Sequence, residues 1–369
     1  RFILFGLMAP FAAALMNRYG LRNVTLTAQI IVITGLLGSL FMTKVWQLML
    51  LWGVVIGIGT GMTALVLGAT IATRWFVARR GLVVGIMTAS VATGQLVFLP
   101  ALAAITEQVG WRVALALVCV MLGIAAFAVL MLMRDRPSDV GLRPFGDEGT
   151  EPRPAPPPNT APIAAVALGT LRDVSREPVF WILFGTFFVC GASTNGLVQV
   201  HLIPMCLDFG IPQVQAASLL AAMGIFDFFG TIVSGWLSDR YDNRWLLFWY
   251  YGLRGLSLLF LPYSDFTFYG LSLFAVFYGL DWIATVPPTV RLTAQRFGAE
   301  RANLVFGWIF AGHQLGAGVA AFGAGVSRTV YLTYLPAFFV AGALCIIAAL
   351  IVLMISRPAK APATASAAA

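Results

Sequence analysis

Apolar residues in this chain fall in long runs separated by short polar gaps, and within the runs polarity does not alternate at every second position. A run of about 20 apolar residues matches a helix that crosses a bilayer, whereas barrel strands would alternate. Eleven spans are predicted, over about 2–20, 24–43, 46–72, 82–107, 111–133, 178–207, 215–238, 245–262, 266–290, 303–327 and 330–356. In hydrocarbon every backbone polar group needs an internal partner, so these spans read as helices and the fold class as an all-α polytopic membrane protein.

The pattern breaks once, between 134 and 177, where Arg134-Asp-Arg-Pro137 and Glu151-Pro-Arg-Pro-Ala-Pro-Pro-Pro158 favour extended backbone over a buried core. This divides the chain into an N-terminal helical bundle (1–133), a linker (134–177), a C-terminal bundle (178–357) and a Pro- and Ala-rich tail (358–369) expected to be disordered. The two bundles repeat each other at an offset of 222 residues. Asn17-Arg18-Tyr19 corresponds to Asp239-Arg240-Tyr241, Arg22 to Arg244, Gly57 to Gly279, Arg74 to Arg296, Gly85 to Gly307 and Gly94 to Gly316. Six spans per repeat return the chain to the same side, so the repeats are parallel.

Charge adds orientation. The net charge is +8 with only 10% charged residues and 60% hydrophobic ones, too few charges to cover a soluble surface. Arginines gather on alternate gaps (Arg18 and Arg22; Arg74, Arg79 and Arg80; Arg240 and Arg244; Arg291, Arg296 and Arg301), while the other gaps hold Lys44, Arg112 and Arg328. The positive-inside rule accounts for this, places the C-terminus in the cytoplasm, and leaves no need for a nucleic-acid partner. With an odd count of spans Arg1 falls outside, and since it opens directly on an apolar run, a further helix is expected before it. The four cysteines have no ligand spacing and read as small hydrophobes; no metal or cofactor is expected.

Gly235-Trp-Leu237-Ser-Asp239-Arg240-Tyr-Asp242-Asn-Arg244, together with its degenerate copy carrying Ala13 and Asn17, resembles the loop signature of the major facilitator superfamily. The resemblance implies twelve helices in two six-helix halves and transport by alternating access. Trp75-Phe76-Val-Ala-Arg79-Arg80-Gly-Leu82-Val-Val-Gly85, followed by Ala89 and Gly94, and Arg134-Asp-Arg-Pro137-Ser-Asp139-Val-Gly141-Leu-Arg-Pro144 are similar to the monocarboxylate and oxalate/formate porter branch. The chain departs from that branch where Asp227 is followed four residues on by Thr231 instead of arginine. In the signature loop the resemblance supports a conformational latch of Gly235, Asp239, Arg240 and Arg244 with the weaker copy Asn17, Arg18 and Arg22. The Asp239 carboxylate is expected beside the positive N-terminal end of a helix starting near Gly81.

Charged residues within a span cost roughly 2.5–3.5 kcal/mol each on insertion scales, so each needs a partner, a cavity or a function. Asp227, Arg254 and Asp281 lie on successive spans, roughly 13–18 Å from their arginine-rich ends at 1.5 Å per residue. Gly224, Asp227, Thr231, Ser234 and Ser238 form one polar face; Tyr278, Asp281 and Thr285 form a shorter one, ending at Pro287-Pro288, where the helix can bend. Two readings follow: Arg254 balances one aspartate while the other exchanges a proton or the arginine is released to an anion, or the charges form a static pair that fixes packing. Asn195 and Gln199, one turn apart, can bind a carboxylate or hydroxyl group or satisfy another helix. Gln95 and His313 lie on corresponding helices, and His313 is either a proton carrier or a hydrogen-bonded packing residue. Glycines 53, 57 and 61 suggest a face for close helix approach.

No nucleophile-base or metal-ligand pattern supports an enzyme. The expected function is a proton-coupled secondary transporter of a small organic anion, monomeric, in a bacterial inner membrane. A multidrug or sugar porter and a non-transporting sensor are the alternatives.

Overall fold

The computed structural model describes residues 2–63, 65–147 and 161–356. Eleven helical spans appear among them: α1 (Phe2–Tyr19), α2 (Leu21–Leu40), α3 (Val45–Trp75), α4 (Arg80–Val109), α5 (Trp111–Leu132), then after a short helix α6 (Ile163–Val174) come α7 (Pro178–Asp208), α8 (Gln213–Ser238), α9 (Asn243–Phe260), α10 (Phe268–Asp281 continued by Val286–Phe297), α11 (Ala302–Tyr331) and α12 (Leu335–Val352). Nine of these are long and apolar enough to cross a membrane by length and composition, and the structure is an all-α, polytopic membrane fold. α3 and α7 each contain a π-helical stretch, Met49–Val55 and Ala192–Val198.

The repeat is visible in the packing. α4 and α11 are offset by 222 residues at both ends, and α1 maps onto the second part of α8. α4 packs along α8, and α11 packs along α1, so the two contacts between bundles are images of each other under exchange of the halves. Both are made at glycines: a Cβ on Gly85 would lie 2.8 Å from the Thr231 carbonyl oxygen, and one on its counterpart Gly307 would lie 2.7 Å from Pro10 Cα. Neither position has room for a side chain. The Gly53, Gly57 and Gly61 face is different from the expected one, since only Gly61 approaches α1 closely, 2.7 Å from the Phe5 oxygen, while Gly53 faces open space.

The segment expected to be extended is partly folded. Ile163–Val174 forms α6, whose Ala167 and Val174 are buried, and Trp308 Nε1 donates to the Ala167 oxygen at 2.9 Å. Spacing of Ile163, Val166, Ala167, Thr170 and Val174 by three or four residues gives it an apolar face despite the neighbouring prolines. Residues 137–140 make a 3₁₀ turn, and Phe145 pairs with the end of α3, its N–H donating to the Trp75 oxygen at 2.7 Å. Asp135 caps α2 by accepting from the Arg22 backbone N–H at 2.9 Å. The Pro-rich stretch 148–160 and the tail 358–369 lie outside the described residues.

Candidate functional site

The break in α10 organises the site. Pro287 and Pro288 have no N–H to offer the carbonyls one turn earlier, so the helix stops after Asp281 and restarts at Val286, exposing backbone groups between them. Side chains from two neighbouring helices take these up. Asp227 Oδ1, on α8, accepts from the Ile283 N–H at 2.9 Å and from Thr231 Oγ1 at 2.8 Å. Ser234 Oγ, two turns along the same face, donates to the Ala284 oxygen at 2.5 Å. Arg254, on α9, donates through Nη2 to the Asp281 and Trp282 carbonyl oxygens at 2.5 and 3.0 Å, so its positive charge caps the C-terminal end of the first α10 segment.

Arg254 is fully buried, and its Nε and Nη1 atoms are bonded as well. Nε bonds Asp281 Oδ2 at 2.8 Å, and Nη1 bonds Cys190 Sγ on α7 at 2.9 Å. Cys190 also meets Thr285 Oγ1 at 3.3 Å, and Tyr278 donates to the Ser193 oxygen at 2.8 Å. The polar faces of α8 and α10 therefore turn to protein, the first towards the α10 break and the second towards α7. Asp227, Arg254 and Asp281, read as three separate intramembrane charges, form one cluster with two carboxylates and one guanidinium. Asp281 Oδ1 is sealed without a partner, whereas both described bonds of Asp227 use Oδ1 and leave Oδ2 with none among the described residues.

The other predicted residues lie elsewhere. Asn195 is half-buried in the π-helical stretch and Gln199 is exposed beyond it. His313 is buried between Phe187 and Phe310, its ring 4.8 and 5.7 Å from theirs, with Nδ1 unpartnered. Gln95 falls in α4, and its side chain lies outside the described ones.

At the arginine-rich end the Asp239 carboxylate sits on the first turn of α4, accepting from the Gly81 and Leu82 N–H groups at 2.9 Å each and pairing with Arg291. Gly235 lets the α8 backbone touch the Gly81 oxygen. The image of this contact is weaker in charge: Asn17 accepts from Arg74 at 2.8 Å and from Asn303 at 2.8 Å, an uncharged amide pair across the bundles. The remaining basic residues of the signature loops bond elsewhere. Arg244 bonds Asp242 and the Ile355 oxygen (2.7 Å), Arg22 the Leu130 oxygen (2.5 Å), Arg18 the Ala161 oxygen (3.3 Å) and Arg240 the Trp236 oxygen (3.3 Å). Sequence reading missed Arg291, Asn303 and Cys190. The first had registered only as an orientation marker, and the repeat offset that pairs Gly81 with residue 303 was the available signal for the second.

Comparison with known proteins agrees with this architecture. The Major Facilitator Superfamily model matches residues 1–321 and 202–369. The chain is similar to the uncharacterized MFS-type transporter YcxA of Bacillus subtilis (23% identical, covering 87% of this chain and 75% of that protein). It is also similar to monocarboxylate transporter 11 of Mus musculus (32%, covering 63% and 47%) and monocarboxylate transporter 13 of Rattus norvegicus (28%, covering 91% and 73%). The matches thus span about half to three quarters of these relatives' lengths. Among solved structures, the human organic anion transporter MFSD10 superposes with a TM-score of 0.74 at 15% identity over 95% of this chain and 81% of that one. The E. coli fucose:proton symporter superposes with a TM-score of 0.70 at 13% identity over 96% and 89%, and likenesses at these identities show the fold. With its repeated helical plan, its signature loops and a family match over its whole length, the chain belongs to the Major Facilitator Superfamily, as an integral multi-pass membrane protein whose relatives are transporters and not enzymes.

Proposed function

We propose that the chain works as a secondary active transporter that moves a small monocarboxylate-like anion together with a proton by alternating access. The observation that carries this is the buried cluster at the α10 break, where two carboxylates face one guanidinium. Charges of that kind are retained in a membrane interior when they have a task, and a cluster with one acid in excess becomes neutral on taking up one proton. Arg254 is held by four hydrogen bonds and has no exposure, which favours its balancing Asp281 over its release to a substrate. Asp227 is then the proton-exchanging group, with Oδ2 as the atom that receives the proton. Its Oδ1 bond to Ile283 ties that exchange to the helix break, so a change in its charge alters the clamp on α10. Asn195 and Gln199 supply amide donors for a substrate carboxylate.

The names of the monocarboxylate transporter relatives support the substrate class, and the positive-inside pattern supports a cytoplasmic arginine-rich end in a bacterial inner membrane. The protein acts as a monomer in this reading, since both bundles needed for alternating access lie in one chain. The test is uptake of radiolabelled small monocarboxylates into proteoliposomes under an inward proton gradient. Wild-type protein should accumulate substrate saturably and Asp227→Asn should not, while unfolding at the same temperature. Gradient-driven uptake that survives Asp227→Asn removes that residue from coupling, and absence of saturable uptake for every monocarboxylate, with uptake of sugars or amphiphilic cations, overturns the substrate class.

A further inference from the structure

We propose that a cleft at the arginine-rich end binds a phosphate group, and that its occupancy favours the arrangement in which the two bundles are closed at that end. The cleft measures about 620 Å³ and lies between the bundles and the folded parts of the linker. Arg18, Arg74 and Arg80 of the first bundle line it, with Arg136 from the linker and Arg301 at the start of α11. Among the described residues that line it, only Asp173 and Glu300 are acidic, and Asp173 is already paired with Arg301 at 2.6 Å, while Asp135 and Asp139 act on Arg74 from outside the lining.

Protein partners leave donors over. A guanidinium carries five N–H groups, and among the described bonds Arg18 uses one for the Ala161 oxygen while Arg74 uses Nη2 for Met16 and Asn17. Two helix N-termini also line the space, the first turn of α6 at Ile163 and that of α11 at Asn303 and Leu304. Neither helix has an acidic residue in its first turn or a side-chain bond from its cap residue, so their positive ends add to the arginines instead of being neutralised. Donors converging from several directions, with net positive charge, suit a tetrahedral oxyanion better than a planar carboxylate. At a membrane surface such a group can come from an anionic phospholipid headgroup or from a soluble phosphate compound.

Coupling to closure follows from where the walls belong. Arg18, Arg74 and Arg80 move with one bundle and Arg301 and Asn303 with the other, so separation of the bundles at this end would pull the binding groups apart. Arg80 also lines a second cavity, of about 150 Å³, which reaches Arg291, the partner of Asp239. A ligand gripping both walls binds the closed arrangement more tightly and shifts the population towards it. The idea depends on the transporter reading only for the meaning of closure.

Binding is read by thermal unfolding of the full chain in a neutral detergent, titrated separately with sodium pyrophosphate and with phosphatidylglycerol, each against sodium chloride at matched ionic strength. A saturable rise in midpoint is expected with at least one of them, and the half-saturation concentration should increase at least about tenfold in Arg18→Gln and in Arg136→Gln, the loss of one charge-assisted contact. Arg176→Gln, an exposed basic residue outside the cleft, should bind as wild type. A response to pyrophosphate alone identifies a soluble phosphate compound, and a response to phosphatidylglycerol alone a headgroup. In both cases, maleimide labelling of Ala294→Cys, which lines the smaller cavity, should slow when ligand is present. No rise beyond matched salt, or equal half-saturation in the cleft variants and wild type, overturns the site. Uptake experiments are not involved, so failure here leaves the transport reading standing.

Discussion

Asp239→Asn offers a direct test of how the bundles are held together at their arginine-rich ends. The carboxylate accepts two backbone N–H groups at 2.9 Å from the first turn of α4 and pairs with Arg291, whose side chain keeps 28% exposure. An amide keeps one acceptor oxygen but turns the other into a donor and loses the charge, which removes a helix-dipole contribution of about 0.3–2 kcal/mol and one of the two charge-assisted backbone hydrogen bonds, about 1.5–3 kcal/mol. Arg291 can rehydrate, so no large orphan penalty is added. A net loss of about 2–3 kcal/mol from the closed arrangement corresponds to a shift of roughly 30- to 150-fold in the ratio of closed to open forms. The four native cysteines are buried, so Ala294→Cys supplies an accessible reporter against a quiet background. Maleimide labelling of that cysteine should accelerate by more than tenfold in the Asp239→Asn background. An unchanged rate, with the protein folded, would mean that the contact holds no conformational equilibrium and is only a local cap.

Three further outcomes follow from the same geometry. Asn17→Asp puts a carboxylate at the image position, 2.8 Å from Arg74, and should slow labelling of the same reporter, a change opposite in sign to that of Asp239→Asn. Arg254→Gln leaves Asp281 and two α10 carbonyls without their cation and should lower stability by about 3–5 kcal/mol, seen as a depressed unfolding midpoint in detergent; Arg254→Lys should not restore it, because a single ammonium cannot reach four partners on two helices. Gly85→Val should destabilise the packed bundles by about 1–3 kcal/mol, since its side chain would meet the Thr231 oxygen at 2.8 Å, whereas the same change at Gly94, which faces open space, should be near neutral in the same melt.

The helical spans, the parallel repeat and the approach of Asp239 to the helix at Gly81 were all legible in the residues. Insertion into a bilayer is close to additive over neighbouring residues, so apolar runs declare their helices without knowledge of the rest of the chain. An offset of 222 residues then fixes which helices are images of each other, and α4 and α11 obey it at both ends. Helix α6 was masked by the prolines around it, although its spacing carried a helical face. What the sequence could not show was partnership. Arg254 on one span, Asp281 and the freed carbonyls on the next, Cys190 some 64 residues earlier and Asp227 on a fourth helix meet because those helices cross at a break made by Pro287 and Pro288. Contacts of that kind depend on where distant helix axes come together and how their side chains interdigitate, a property of the packed tertiary structure that no local run of residues encodes.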